Sequence, residues 1–289
     1  MAERTGSGTE NRMILIGAGP MGLAAAKAAR DDGVVTIVGA VDLDPTSRDA
    51  AGRDLGVDTY GSVDDIAPGS ADVALLAFSS RLAPVESAVM RLVGDVGCHV
   101  VTTCEEMAFP DPETRRRLEA ACRRAARSVM VTGANPGFAM DRIPLALAGG
   151  CRNVREIRVT RRVDTSTRRR PLVAKTGYGL SVSEFQTAVQ AGAIGHVGLE
   201  ASAELLAEGL GWRTAEVSGF THPVIDDHGS VLGQHQLLTL SDAAGRYIEL
   251  DLTMAWNLED PIDRIEIVGD VGLVAEIRGG YPGDQGTTA

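Results

Sequence analysis

Short apolar runs alternate with alanine-rich or amphipathic stretches through the first half of the chain. The apolar runs have the length and the β-branched content of buried strands, and the stretches between them have helical spacing. Predicted strands lie at 13–16, 34–41, 73–78, 98–103 and 129–131, and predicted helices lie at 23–30, 84–93 and 112–126. This order predicts a parallel sheet that is covered by helices on both faces.

The pattern changes beyond Asn135, where apolar and polar positions alternate over longer segments. Such alternation is typical of strands with one buried face, which favour antiparallel pairing. Predicted strands lie at 154–163, 236–240, 247–254 and 264–268, and predicted helices lie at 183–192, with Ser183 as its N-cap, and at 199–210. We therefore expect an α/β domain followed by an α+β domain with a mostly antiparallel sheet.

Three segments follow from these patterns. Residues 1–12 are polar and are expected to form a disordered tail. Residues 13–134 are expected to form the parallel-sheet domain, and residues 135–289 the second domain. A chain of 289 residues is long enough for two such cores.

A glycine-rich turn joins the first predicted strand to the first predicted helix. The turn is Gly17-Ala18-Gly19-Pro20-Met21-Gly22. A bare GxGxxG pattern can be an ordinary turn, but here Asp42 also ends the second predicted strand, as a dinucleotide site of the Rossmann type requires. Gly17 permits the turn, Gly19 lets the backbone approach a pyrophosphate, and Gly22 lets the helix pack on the strand. Pro20 and Met21 are expected to contact the same cofactor.

Asp42 bears on which nicotinamide dinucleotide is bound. A carboxylate there accepts hydrogen bonds from ribose hydroxyls and repels a 2′-phosphate, which favours NAD over NADP. Thr46, Ser47 and Arg48 follow closely and offer donors to a 2′-phosphate, so NADP stays open. The expected cofactor is NAD(P)H, with NAD favoured.

Composition narrows the classes of partner. The net charge of −11 disfavours nucleic acid and anionic membranes, and no apolar run is long enough to span a bilayer. Four cysteines without a paired pattern indicate a cytoplasmic protein. His222, His228 and His235 lie near acidic residues in a segment predicted to be a loop, but their spacing matches no standard zinc site, so we expect no metal.

Polar residues follow the third and fourth predicted strands, at the edge where this fold binds ligands. Ser79 and Ser80 could contact ribose or phosphate, or could simply form a polar turn. Thr103 is a further expected cofactor contact. Glu105 and Glu106 are the strongest candidates for acid–base chemistry, although surface carboxylates are the simpler interpretation.

Several segments together resemble the 2,4-diaminopentanoate dehydrogenase family, whose relatives include native amine dehydrogenases with a fold like that of dihydrodipicolinate reductase. The resemblance lies in Thr-Thr-Cys-Glu-Glu-Met-Ala-Phe-Pro at 102–110, in Gly-Ala-Asn-Pro-Gly-Phe at 133–138 with Asp141, and in the segments 161–164, 175–179, 184–185 and 195–198. It implies NAD(P)-dependent interconversion of a small, amino acid-like amine with its ketone and ammonia.

The resemblance also implies roles for individual residues. A glutamate handles protons, and we favour Glu106 with Glu105 as the alternative. Asn135 is expected to contact the cofactor. Residues expected to bind the substrate are Phe138, Arg162, Thr176 and His196.

Two alternatives stay open: an imine or ketone reductase that needs no ammonia, and a nucleotide-binding sensor without catalysis. The resemblance also implies a homodimer that forms through the sheet of the second domain. Residues 279–289 resemble an internal loop and helix start of the family, so the second domain is expected to be short at its C-terminus.

Overall fold

The computed structural model describes residues 11–282 and residue 286. These residues divide into two compact units, with the division between Thr132 and Gly133. The polar tail expected at 1–12 lies outside the described residues, except for Asn11 and Arg12, which open the first strand. Most of the expected short C-terminal segment after Pro282 also lies outside them.

The first unit contains a six-stranded, fully parallel sheet in the order β3-β2-β1-β4-β5-β6. Its strands are β1 (Asn11–Ile16), β2 (Val35–Val41), β3 (Thr59–Tyr60), β4 (Val73–Leu76), β5 (His99–Thr102) and β6 (Val129–Val131). Its helices are α1 (Pro20–Asp31), α2 (Pro45–Leu55), α3 (Leu82–Arg91) and α4 (Pro112–Ala125). The predicted parallel-sheet fold is confirmed.

Both faces of this sheet are buried, because successive side chains of a strand point to opposite faces. On β1, Met13 and Leu15 belong to one apolar cluster, and Ile14 and Ile16 belong to another. This burial on both faces is why the strands are short, continuous apolar runs. Helix α2 was missing from the predicted elements; its sequence is polar, and Asp44 caps it by accepting from the Thr46 and Ser47 amides.

The second unit contains a six-stranded mixed sheet in the order β12-β11-β7-β10-β9-β8. Its strands are β7 (Glu156–Asp164), β8 (Thr214–Ile225), β9 (Val231–Asp242), β10 (Tyr247–Ala255), β11 (Ile262–Val268) and β12 (Leu273–Arg278). Its helices are α5 (Arg142–Ala148), α6 (Arg170–Lys175), α7 (Val182–Gln190) and α8 (Leu199–Gly209). All its pairings are antiparallel except that of β7 with β10, which confirms the mostly antiparallel sheet.

One face of the second sheet carries the core of that unit. Ile157 and Val159 of β7 and Leu250 of β10 are fully buried with Leu206 of α8. The alternate positions of the same strands are polar and half-buried. The apolar positions of the predicted alternation therefore lie on the helix-covered face of the sheet, and the polar positions lie on its open face.

Two local predictions were wrong. Ser181, not Ser183, caps α7, because its side chain accepts from the Glu184 amide and Glu184 reaches back to the Ser181 amide. The segment that holds His222 and His235 is not a loop, since these residues pair across β8 and β9. The polar and glycine content of β8 reflects its exposed position at a sheet edge, where apolar alternation is not required.

Within the residues that the structure describes, no helix is long and apolar enough to cross a membrane.

A buried ion pair joins β7 to β11 in the second unit. Arg161 and Asp263 face each other in the strand register, and Arg161 Nη1 donates to both carboxylate oxygens at 2.9 and 3.0 Å. Their side chains are 6% and 2% exposed. Removing one member of such a pair leaves an uncompensated charge in the interior.

We expect Asp263→Asn to lower the free energy of unfolding by about 3–5 kcal/mol, because it removes the charge that compensates Arg161. Urea unfolding followed by circular dichroism measures this. Asp270→Asn is the control, because Asp270 pairs with Arg155 at the surface and its loss should have little effect. Equal losses for the two variants would contradict the interpretation.

Candidate functional site

The turn after β1 has a backbone that only glycine allows. Gly17 has φ +95°, and a Cβ there would lie 2.7 Å from Phe78 Cβ. At Gly22 a Cβ would lie 2.1 Å from the Gly17 carbonyl oxygen. Helix α1 therefore packs directly on the turn, as the sequence motif predicts.

The start of α1 offers backbone amides to a ligand. Gly19 is the N-cap residue and Pro20 the first helical residue; within the described part of the chain, no side chain caps this helix. A Cβ at Gly19 would meet nothing within 4 Å, so the space beside the turn is open. Uncapped amides and the helix dipole together favour an anion such as a phosphate. The turn fits the dinucleotide that the sequence predicts.

Asp42 ends β2 beside this turn. Its Oδ2 accepts from the Ala18 amide at 2.8 Å, and its Oδ1 accepts from the Asp44 amide at 2.9 Å. Arg48 Nη1 donates to the carbonyl oxygens of Asp42 and Leu43. Asp42 is thus held in place, and each of its oxygens retains a further lone pair for a ribose hydroxyl.

Asp44 adds a second carboxylate to the same loop. Hydrogen bonds from the Ser47 hydroxyl and from the Ser47 and Thr46 amides lower the pKa of Asp44, so it is ionised at neutral pH. The amide and the hydroxyl of Ser47 are therefore both used by Asp44. Of Thr46, Ser47 and Arg48, which the sequence offered as donors to a 2′-phosphate, Arg48 is the positively charged one.

The turns after β4 and β5 lie side by side in the first unit. Ser79 Oγ accepts from the Arg81 amide at 3.0 Å, and the Ser80 carbonyl oxygen accepts from the Glu106 amide at 3.2 Å. The Thr103 amide donates to the Leu76 carbonyl oxygen. The structure thus brings Ser79, Ser80 and Thr103 to the same edge as the two glutamates.

Glu106 is tied to the N-terminus of α3. Its Oε2 accepts from the Leu82 amide at 2.7 Å, and its Oε1 accepts from Arg81 Nη1 at 2.6 Å. Burial raises the pKa of Glu106, but the Leu82 amide and the Arg81 guanidinium outweigh burial, so the net pKa is lowered. Its half-buried neighbour Glu105 begins the same single helical turn.

Two predicted residues of the second unit, Asn135 and His196, contact each other. Asn135 Nδ2 lies 3.1 Å from His196 Nε2, and the Gln236 side chain accepts from the His196 amide at 2.7 Å. Burial lowers the pKa of His196 to about 4; Arg161 and Lys175 add to the lowering, and a hydrogen bond to the Asn135 backbone opposes it. The imidazole is therefore neutral at physiological pH.

A cavity of about 420 Å³ opens at the end of β7 in the second unit. Its walls include Arg161, Arg162, Arg168, Asp164, Asp263 and Tyr281. Arg161 is paired with Asp263, whereas the buried Nε of Arg162 has no hydrogen-bond partner among the described residues. The ring of Tyr281 lies 5.2 Å from that of the predicted residue Phe138.

Thr176 does not join this group. It is 1% exposed, and its hydroxyl donates to the Val173 carbonyl oxygen at 2.7 Å, which completes the last turn of α6. The structure thus gives this threonine a local role in the interior of the second unit.

Sequence reasoning missed several partners of the predicted residues. They are Arg81, Ser202, Gln236, Asp263 and Tyr281. Each is distant in sequence from the residue it contacts, so local patterns gave no signal. Only strand alternation on β7 could have indicated that Arg161 faces the interior and Arg162 the other way. Among the described residues, no three metal-ligating side chains form a cluster.

The fold and the glycine turn define a two-domain protein whose first unit has a dinucleotide-binding fold of the Rossmann type. The family model for the 2,4-diaminopentanoate dehydrogenase C-terminal domain matches residues 138–231. The 2,4-diaminopentanoate dehydrogenase of Acetoanaerobium sticklandii is 29% identical over 238 residues, which are 75% of this chain and 65% of that protein. The match thus spans slightly less than two thirds of that relative. This chain is similar to the 2,4-diaminopentanoate dehydrogenases over these residues, and the resemblance seen in the sequence is confirmed.

Solved structures share the fold. The amine dehydrogenase from Mycobacterium smegmatis superposes with a TM-score of 0.80 at 22% identity, covering 97% of this chain and 89% of that one. GenD2 from gentamicin A biosynthesis, in complex with NAD, superposes with a TM-score of 0.63 at 18% identity, covering 96% and 75%.

We expect Glu106→Gln to destabilise the protein by about 1 kcal/mol at pH 7, since it removes a carboxylate from a helix N-terminus. A lowered folded-state pKa stabilises the fold above the unfolded value near 4.5. That stability is lost as the pH falls through the folded pKa. The difference in unfolding free energy from wild type should therefore shrink below about pH 5.

Denaturant unfolding at several pH values measures this difference. Glu119→Gln is a matched control, because Glu119 is exposed, pairs with Arg115 and Arg123 within α4, and does not lie at a helix N-terminus. A difference that stays constant with pH would show that α3 does not hold the Glu106 carboxylate.

Proposed function

We propose that this chain is an NAD(P)-dependent amine dehydrogenase that interconverts a small amine with its ketone and ammonia. The observation that carries the proposal is the occurrence in one chain of a dinucleotide-binding turn and a 2,4-diaminopentanoate dehydrogenase C-terminal domain. The neighbouring structure of an amine dehydrogenase supports the same reaction class. A reduced nicotinamide dinucleotide, held through its pyrophosphate by the turn after β1, would supply the hydride.

The residues Gly17, Gly19 and Gly22 bind the pyrophosphate through the backbone, together with Pro20 and Met21 at the start of α1. Ser79, Ser80 and Thr103 line the same edge of the sheet and contact the remainder of the cofactor. Asn135 contributes a further contact to it.

Glu105 and Glu106 have different roles in this proposal. Both oxygens of Glu106 are engaged and its pKa is lowered, so it is a poor proton donor at neutral pH. We therefore propose Glu105 as the proton carrier and Glu106 as the residue that holds their shared turn. The carrier takes a proton from ammonium, and the ammonia adds to the ketone. It then returns a proton to the carbinolamine oxygen, which leaves as water before hydride addition.

The second unit supplies the substrate contacts. His196 is neutral and half-buried, so it can hydrogen-bond a ketone or amine without repelling the ammonium that must enter. Arg162 has a buried Nε without a partner among the described residues, which suits a substrate carboxylate. Phe138 and Tyr281 add an apolar wall. An amine or ketone with a carboxylate group, such as 4-oxopentanoate or 2-amino-4-oxopentanoate, fits these contacts.

NAD is the favoured cofactor in this proposal. Asp42 and Asp44 place two carboxylates in the loop beside the expected ribose, and both repel a 2′-phosphate. Arg48 is held by two backbone carbonyl oxygens rather than directed at a phosphate. The neighbour GenD2 was solved with NAD.

The proposal also includes a homodimer and a cytoplasmic location. Val217, Phe220 and Ile225 on β8 and Val274 on β12 are exposed apolar residues of the second sheet, which supports a homodimer formed there. The described cysteines are all free thiols, as expected in the cytoplasm.

The reaction is tested by NADH oxidation with ammonium and a panel of ketones and keto acids. Glu105→Gln should lower kcat by about 10²–10⁴-fold, because general acid–base catalysis is lost. Glu106→Gln should lower it by only about tenfold, as expected for a residue that acts through its neighbour. A larger loss for Glu106→Gln would reverse the two roles. Oxidation that does not require ammonium would indicate an imine or ketone reductase.

The cofactor preference is tested with Asp42→Ala. Removing this carboxylate should shift the ratio of kcat/KM for NADH over NADPH by at least about tenfold toward NADPH, because repulsion of the 2′-phosphate falls while Arg48 remains. Asp54→Ala is the control, since Asp54 pairs with Lys27 at the surface of α2. An unchanged ratio would place the discrimination elsewhere.

A further inference from the structure

A chain of hydrogen-bonded polar side chains in the second unit begins at two buried residues and ends at half-buried His196. Its remote end is Asp141, which is 1% exposed, and its middle member is Ser202 of α8, which is fully buried. The proposed reaction uses neither residue. Burying such groups is costly unless each is hydrogen-bonded, so their partners show what they do.

Asp141 anchors the chain. Its Oδ2 accepts from the Gly137 amide at 2.8 Å and its Oδ1 from the Arg142 amide at 2.6 Å. The Ser202 hydroxyl lies 2.7 Å from Asp141 Oδ2 and 3.0 Å from Asn135 Oδ1. The two acceptors share one hydroxyl proton, so Ser202 couples the carboxylate to the Asn135 amide.

The direction of the next contact follows from the chemistry of an amide. With its oxygen toward Ser202, Asn135 presents its nitrogen to His196 Nε2 at 3.1 Å. An amide nitrogen only donates, so Nε2 must accept, and the proton of the neutral ring is then on Nδ1. The orientation of the Asn135 amide thereby selects one tautomer of His196.

The backbone of His196 is held from a second side. Its amide donates to Gln236 Oε1, which also accepts from Gln234 Nε2 at 3.2 Å. This contact fixes where the residue lies, but it does not select the ring tautomer. The side-chain contact through Asn135 does that.

We propose that Ser202, anchored by Asp141, is a positioning residue that holds the Asn135 amide in the orientation in which it donates to His196 Nε2. The contact of His196 with a substrate rests on the proposed function. The hydrogen bonds that link Asp141, Ser202, Asn135 and His196 are present in the protein without any substrate. Packing gives no reason for the hydroxyl, because Ser202 lies between Ala201 and Ala203 in a helix that alanine would favour.

The tautomer can be measured directly without substrate or cofactor. Long-range ¹H–¹⁵N correlation spectra at pH 7 report which ring nitrogen of each histidine carries the proton, and His196→Gln identifies the His196 signals. We expect a single Nδ1–H tautomer in the wild type and a mixture in Ser202→Ala. Ser202→Cys, which keeps a weak donor, should give an intermediate mixture.

Thr165→Val is the matched control, because Thr165 carries a buried hydroxyl without a partner among the described residues of the same unit. It should leave the His196 tautomer unchanged. An unchanged Nδ1–H tautomer in both Ser202 variants, or an Nε2–H tautomer in the wild type, would overturn the proposal.

A kinetic readout separates this proposal from the proposed function. If ammonium-dependent turnover is present, Ser202→Ala should raise KM for the ketone about tenfold with kcat nearly unchanged, as expected for loss of one binding contact. An equal loss of kcat and kcat/KM would overturn the positioning role. Absence of turnover in the wild type would count against the proposed function, and the spectra would still decide the role of Ser202.

Discussion

The contact between α1 and the turn after β1 is the constraint on which the first unit depends. Gly22 lies against the Gly17 carbonyl oxygen with no room for a Cβ, and Gly17 itself adopts a backbone angle that glycine permits. This close approach places the uncapped amides of α1 beside the end of β2, where Asp42 is held by the Ala18 amide. A larger residue at either glycine would displace the helix, and with it the uncapped amides at its start.

Glu106, the second of the two glutamates after β5, shows how the surroundings change the properties of a carboxylate. The backbone turn directs Glu106 at the N-terminus of α3, where an amide and a guanidinium stabilise its charge. A carboxylate stabilised in this way resists protonation, and catalysis of proton transfer needs a group that exchanges protons near neutral pH. The surroundings of Glu106, and not its residue type alone, therefore determine how readily it exchanges a proton.

The second unit contains buried polar groups, and each of them needs a hydrogen-bond or charge partner within the unit. The Arg161–Asp263 pair and the Asp141–Ser202–Asn135–His196 chain both satisfy their members within that unit. Arg161 also contributes to the low pKa of His196, so the ion pair and the histidine are linked electrostatically. Polar networks of this kind restrict the orientation of each member more than apolar packing would.

The sequence by itself determined the two kinds of sheet, the glycine turn with Asp42 and the resemblance to the 2,4-diaminopentanoate dehydrogenases, since these depend on local periodicity and on motifs with fixed spacing. It also indicated Asn135, His196 and the two glutamates as candidate site residues. Only the tertiary structure decided which glutamate is tied to α3, that Thr176 is interior, and that Arg161 rather than Arg162 is paired with Asp263. Those outcomes depend on contacts between residues far apart in the chain, such as Glu106 with Leu82 and Ser202 with Asp141, which local patterns do not encode.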